Sequence, residues 1–153
     1  MSDNVIALGA DHGGFLLKEA IKIYLNSKNI KYIDFGTNSS QSVDYPIYAK
    51  KVVNSIKNNE STLGILCCGT GIGISIAANK FSGIRAAVCN SEFCAEMSRR
   101  HNNANILCLG GRVISEEEAV AFSKIFINTQ FDSGRHEKRL EQIKQIEMEN
   151  HLN

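Results

Sequence analysis

Leu63-Gly64-Ile65-Leu66-Cys67-Cys68-Gly69-Thr70-Gly71-Ile72-Gly73 is the stretch whose reading decides the fold. Leu63 to Cys67 is a short apolar run, the pattern of a strand buried on both faces. A turn with glycines at alternate positions follows, and then a helical pattern from about Ile72 to Lys80. The same grammar extends upstream. Val5-Ile6-Ala7-Leu8 precedes Leu17, Ala20, Ile21, Tyr24 and Leu25 at helical spacing. Tyr32-Ile33-Asp34-Phe35 precedes a Ser- and Asn-rich loop (Thr37 to Ser42) and a second helical set, Ala49, Val52, Val53 and Ile56. Downstream, Ala86-Ala87-Val88-Cys89 and Ile106-Leu107-Cys108-Leu109 flank a helix over Glu92 to Arg100. Ser115-Glu116-Glu117-Glu118 is a capping box that opens a helix reaching about Asn128. A charged helix then runs from about Arg135 to Asn150. This alternation predicts an α/β, three-layer Rossmann-like fold: a five-stranded parallel sheet with helices on both faces, plus a C-terminal helix. That last helix is poor in core-type residues, so it is expected to pack on a partner subunit or lie across the crevice.

At 153 residues and 16.8 kDa the chain is expected to form one domain, 1–153. A chain of this size buries roughly 70% of its unfolded surface, enough for a core without disulfides or metals. Lys and Arg number 17 against 16 Asp and Glu, a formal charge of +1. That balance excludes the basic field of a nucleic-acid or anionic-membrane binder. No apolar run approaches the ~20 residues of a membrane span. Met1-Ser2-Asp3-Asn4 lacks the flank of a secretory signal. Five cysteines, with no Cys-x-x-Cys pair, fit neither a disulfide framework nor a zinc knuckle. The expectation is a soluble, reduced, cytoplasmic protein that uses no metal and no cofactor.

In a parallel sheet the active crevice lies outside the strands' carboxyl ends, so the loops beside the strands are the places to look. Asp11-His12-Gly13-Gly14 follows the first strand, Cys68 to Gly73 the third, and His101-Asn102-Asn103 and Gly110-Gly111-Arg112 bracket the fifth. The glycine turn aims backbone N–H groups into a concavity, although a plain strand-to-helix turn uses glycine equally well. Neither a dinucleotide fingerprint nor a Walker loop fits, because Ile74 and Ile76 occupy the final Gly positions and no Lys-Ser or Lys-Thr closes the turn. A phosphatase loop fails as well, for want of an Arg six positions after either Cys67 or Cys68. Cys68 sits at the mouth of the turn, where a thiolate is favoured. Strand alternation sends Cys67 and Cys68 to opposite faces, so at most one can enter the crevice, and both can equally be core filler. His12 and His101 each have a modest explanation, a turn residue and a cation at a helix end. Arg135 and Arg139 fall on one helical face, either a solvated charge run or a pair suited to phosphate oxygens.

Taken together these elements resemble the ribose-5-phosphate isomerase type B family. The resemblance rests on Cys68-Gly-Thr-Gly-Ile-Gly-Ile-Ser-Ile-Ala-Ala-Asn-Lys80, Asp11-His12-Gly13-Gly14-Phe15, Asp44-Tyr45-Pro46, Arg99-Arg100-His101-Asn102 and Gly134-Arg135-His136, and it runs from Val5 to Asn153. It implies a metal-free interconversion of ribose 5-phosphate and ribulose 5-phosphate through a cis-enediolate, in the pentose phosphate pathway. Cys68 matches the base and His101 the residue that assists ring opening, with Asp11 and Thr70 nearby. The N–H groups of Gly69, Thr70, Gly71, Ile72 and Gly73 match the anion hole, and Asn102 a holder of a substrate hydroxyl or the enediolate oxygen. His12, Arg112, Arg135 and Arg139 match positions that grip phosphate or its neighbours, with Tyr45 among the substrate contacts. A second branch of the family places a Glu after the turn's last Gly; Ile74 stands there, which assigns this chain to the thiol branch. The resemblance further implies a homodimer or dimer of dimers with shared sites, in which His101, Asn102 and Arg112 cross from the partner. Two alternatives stand beside it: an allose-6-phosphate or galactose-6-phosphate isomerase, and a non-catalytic phosphosugar-binding module.

Overall fold

A computed structural model describes residues 3–150. Met1, Ser2 and 151–153, part of the expected 1–153 unit, lie outside the described residues. The elements alternate along the chain as β1 (Val5–Ala10), α1 (Phe15–Ser27), β2 (Lys31–Asp34), α2 (Tyr45–Lys57), β3 (Leu63–Cys68), α3 (Ile72–Ala78), β4 (Ala86–Val88), α4 (Glu92–Arg100), β5 (Ile106–Gly110), α5 (Glu116–Asn128) and α6 (Arg135–Asn150). All five strands are parallel, in the order β2-β1-β3-β5-β4. The expected fold class is the observed one.

Side-chain alternation sorts the core into two layers. Ile6, Leu8, Leu63, Ile65, Cys67, Leu107 and Leu109 face α1, α4 and α5, which contribute Leu17, Ile21, Ala95, Phe122 and Phe126. Ala7, Leu66, Cys68, Ile106 and Cys108 face α2 and α3, which contribute Val52, Val53, Ile74 and Ala78. Each large aliphatic or aromatic side chain removed from water adds about 1.5–3 kcal/mol, so the two layers together drive collapse. Cys67 and Cys68 part company as the alternation requires.

Local signals set the helix ends. Ser115 Oγ accepts from Glu118 N–H at 3.1 Å while Ser115 N–H donates to Glu118 Oε1 at 3.0 Å, the expected capping box. Ser91 caps α4 by accepting from Cys94 N–H. Asn29 and Asn59 take left-handed conformations (φ 55° and 60°) just past α1 and α2. α6 is poor in core contacts, as its sequence indicates: His136 is its only buried residue. It lies over edge strand β4, tied there by the Gly83 N–H to Glu147 Oε1 bond of 2.8 Å, and leaves between them an apolar groove of about 510 Å³ lined by Leu140, Ile143 and Ile146.

Lys18 of α1 is fully buried, yet charged partners surround it. Its Nζ lies 2.8 Å from Glu19 Oε2 and 2.9 Å from Asp34 Oδ2, and Lys22 Nζ is also 2.9 Å from Asp34. Burial alone raises the Asp34 pKa, but the two ammonium groups and Gly36 N–H outweigh it and hold the carboxyl below its usual range. The network anchors the start of the β2–α2 connection, which forms one wall of the cavity described next.

Candidate active site

The candidate side chains fall into two groups, and the strands place them at opposite ends of the sheet. The first group sits at the carboxyl ends. As β1 ends, Asp11 is drawn inside (7% exposed), where its Oδ1 accepts from Gly13 N–H at 2.8 Å and Gly14 N–H at 3.2 Å. Those bonds fold the turn into α1, and the turn packs so closely on β3 that a Cβ at Gly14 would overlap the Cys67 carbonyl. His12 Nδ1 accepts from Val43 N–H at 3.2 Å. A ring nitrogen that accepts carries no proton, so His12 presents Nε2–H as a donor. Tyr45, at the start of α2, lays its ring over Gly73, with Cζ 2.7 Å from where a Cβ would stand. Arg112 lies across Gly69, its Nη1 2.9 Å from the equivalent point there. Asp11, His12, Val43, Tyr45, Gly69 and Arg112 line one cavity of about 660 Å³.

Beside this cavity β3 ends at Cys68, which is 4% exposed. Its Sγ accepts from Gly71 N–H at 3.1 Å. A backbone N–H aimed at sulfur is a fixed dipole suited to negative charge. Gly71 adopts φ 82°, a conformation glycine takes without strain, and its missing Cβ leaves room for the Leu109 backbone. Of the expected anion hole, Gly71 N–H is thus engaged by the sulfur and Ile72 N–H by Thr70 Oγ1 at 3.2 Å. The N–H groups of Gly69 and Thr70 have no partner among the described residues, and Thr70 is exposed. Cys68 itself does not line the cavity; Gly69, its neighbour, does. Cys67 is inert by contrast: burial pushes its thiol far above the ordinary range.

The second group lies at the amino ends. His101 and Asn102 follow α4 and precede β5, so they stand before Ile106, not beyond Gly110. Ile106 pairs with Gly64 and Gly110 with Cys68, which separates the two ends by roughly 13 Å of strand. Within a single chain these loops therefore do not share one crevice. The two flanks of the fifth strand are neighbours in sequence, whereas the parallel order sends them to opposite ends of the sheet. The start of α6 joins this second group. Asp132 N–H donates to the Arg100 carbonyl at 3.0 Å, and Arg100 Nε contacts Asp132 Oδ2 at 3.1 Å. His136, 9% exposed, stacks on His101 with ring centroids 4.3 Å apart and planes at 16°. Burial, then the nearby His101 and Arg135, depress the His136 pKa. Arg135, Arg139 and Asn102 are exposed. Arg112 departs from expectation in the other sense: it does not need to cross from a partner, because it already lines the cavity of its own chain.

Two contributors escaped the sequence. Val43 acts through its backbone N–H, which leaves no side-chain signature. Asp132 lies in an irregular loop with no periodic pattern around it. His101, Asp132 and His136 place potential metal-ligating atoms within 4.8 Å of one another. Near-parallel rings do not aim their lone pairs at a common point, and Asp132 is already paired with Arg100. Arg135 and Arg139 also act on His136, so the surroundings favour an anion over a cation.

Fold and site together define a Rossmann-like α/β protein whose carboxyl-end cavity offers the Arg112 guanidinium and the His12 Nε2–H to a small anion beside a hydrogen-bonded sulfur. The chain belongs to the Ribose/Galactose Isomerase family, whose model matches residues 6–143. It is 47% identical over 142 residues to ribose-5-phosphate isomerase B of Escherichia coli K12, covering 93% of this chain and 95% of that one. Among solved structures, a ribose 5-phosphate isomerase of Thermotoga maritima is 54% identical with a TM-score of 0.91, covering 93% of this chain and 98% of that one. Ribose-5-phosphate isomerase B of Mycoplasma genitalium, solved with bound ribulose-5-phosphate, is 38% identical with a TM-score of 0.90, covering 95% and 97%.

Proposed function

We propose that the chain interconverts D-ribose 5-phosphate and D-ribulose 5-phosphate, with Cys68 as the base, in a site completed by a second copy of the chain. The observation that carries this reading is the Cys68 Sγ, held by Gly71 N–H at 3.1 Å beside a cavity lined by His12 and Arg112. In the open aldose, Sγ takes the proton from C2 and returns it to C1. The C2 hydroxyl gives up its proton and the C1 oxygen takes one up, so C2 ends as a ketone and C1 as an alcohol with no net gain or loss of protons or electrons. The unpartnered N–H groups of Gly69 and Thr70 are the donors available to the enediolate oxygen. His12 Nε2–H and Arg112 bind the phosphate end, and Tyr45 closes the wall over Gly73.

The remaining functions belong to residues at the far end of the sheet, and here the second copy enters. Ring opening falls to His101 of the partner subunit, working with Asp11 and Thr70. Asn102, Arg135 and Arg139 come with it, to hold a hydroxyl and the phosphate. The loosely packed α6 and the apolar groove beside β4 support such an assembly as a homodimer or dimer of dimers. The described residues pack around one sheet, which supports a single domain. Among the described residues no helix is long and apolar enough to cross a membrane. All five cysteines are unpaired, which supports a reducing, cytoplasmic setting.

The test is turnover of ribose 5-phosphate, allose 6-phosphate and galactose 6-phosphate side by side, with ribose 5-phosphate expected to give the highest kcat/KM. Cys68→Ala should abolish turnover while leaving ribulose 5-phosphate binding intact, and a chelator such as EDTA should change nothing. Unaltered turnover in Cys68→Ala refutes the base. Binding of all three sugars without turnover by the unaltered protein indicates a phosphosugar-binding module instead.

A further inference from the structure

We infer that His136 is a positioning residue for ring opening, holding the His101 imidazole by a face-to-face stack. The inference rests on the assignment of ring opening to His101. His101 sits at the C-cap of α4, where its backbone N–H donates to the Met97 carbonyl at 2.9 Å. No hydrogen bond orients its side chain among the described residues. An imidazole on one rotatable stem at a helix end samples several rotamers unless something restrains it. The restraint available is His136, whose ring lies 4.3 Å away and 16° from parallel. His136 is itself fixed, as the one buried side chain of α6, and its helix start is strapped to α4 by Asp132 through both Arg100 contacts. The plane of one ring therefore sets the plane of the other. Flat stacking, not proton transfer, is what His136 supplies.

The two directions of the reaction separate this role from the rest of the site. Ribose 5-phosphate exists as a furanose and must open before Cys68 can act. Ribulose 5-phosphate has its O5 blocked by phosphate, cannot close to a furanose, and presents its C1 hydrogen directly. In D2O, Cys68 alone can exchange that hydrogen through the enediolate. His136→Ala is expected to lower kcat on ribose 5-phosphate on the order of tenfold, the scale of a reacting group displaced by a fraction of 1 Å. Exchange of the C1 hydrogen of ribulose 5-phosphate should stay within about twofold of the unaltered protein, and KM should move as little. His136→Phe, which keeps a flat ring, should restore forward turnover to within about twofold. The His101 Hε1 proton resonance should move on His136→Ala and much less on His136→Phe. Equal losses of turnover and exchange in both variants overturn the inference by making His136 a substrate contact, and full activity in His136→Ala overturns it by making the stack idle. If the unaltered protein exchanges no deuterium, the assignment of Cys68 falls first and this inference with it.

Discussion

Mixing two variants that are each inactive should restore isomerisation. Cys68 stands at the carboxyl end of β3 and His101 before the amino end of β5, roughly 13 Å of strand apart. Reacting groups must approach to about 3–3.5 Å, so one chain cannot bring both to one sugar. Cys68→Ala and His101→Ala homodimers each lack one function in both sites, and each should fall by a factor of ~100 or more. In a hybrid, the site using Cys68 of one chain and the other chain's His101 is intact, while the second site lacks both. Random reassociation of equal amounts makes about half the dimers hybrid, each with one good site of two, so about a quarter of unaltered turnover should return. The assay is ketose formation from ribose 5-phosphate after co-refolding, with hybrids counted by native mass spectrometry of differently tagged chains. Turnover that stays at the sum of the two variants, with hybrids present, would refute the divided site.

Other outcomes follow from single contacts. In Gly73→Ala the new Cβ meets the Tyr45 ring at 2.7 Å, so the ring must move; KM should rise several-fold while urea unfolding changes by no more than about 1 kcal/mol. Gly14→Ala forces the turn off the Cys67 carbonyl and should cost about 2–3 kcal/mol in the same unfolding assay. Asp34 has a folded pKa below its unfolded value, so its contribution is present above about pH 4 and lost as pH falls through the depressed value. Asp34→Asn should remove that acid step from urea curves taken across pH and cost about 3 kcal/mol, the low end for breaking a buried pair, because Glu19 still faces Lys18. Iodoacetamide at neutral pH should label exposed Cys94 and spare Cys67, Cys89 and Cys108 by peptide mass spectrometry, since burial raises the Cys89 thiol to about 11 and also pushes up the Cys67 and Cys108 thiols.

The layers were legible because apolar periodicity records which face each side chain turns. Leu63 to Cys68 alternates between two helical layers, so the separation of Cys67 from Cys68 is legible in the sequence itself. The capping box at Ser115 was equally plain, since both its bonds are local. The site was harder to read. His101 and Arg112 flank the same strand in sequence, yet strand direction sends one to each end of the sheet, and direction leaves no mark in a list of residues. The stack of His101 on His136 joins positions far apart in the chain through a loop, 129–134, whose course no periodicity describes. Charge near Lys18 was also opaque, because a lysine at a helical core position reads as a flaw in the pattern until Asp34 is found across the layer.

In the divided site proposed above, sulfur and imidazole ride on opposite ends of one sheet, so the two functions are separable by inheritance. After duplication of such a gene, one copy can lose its sulfur and the other its imidazole, and the pair remains competent so long as the products associate. Selection would then act on the partnership and not on either chain alone, turning a symmetric assembly into an obligate mixed one.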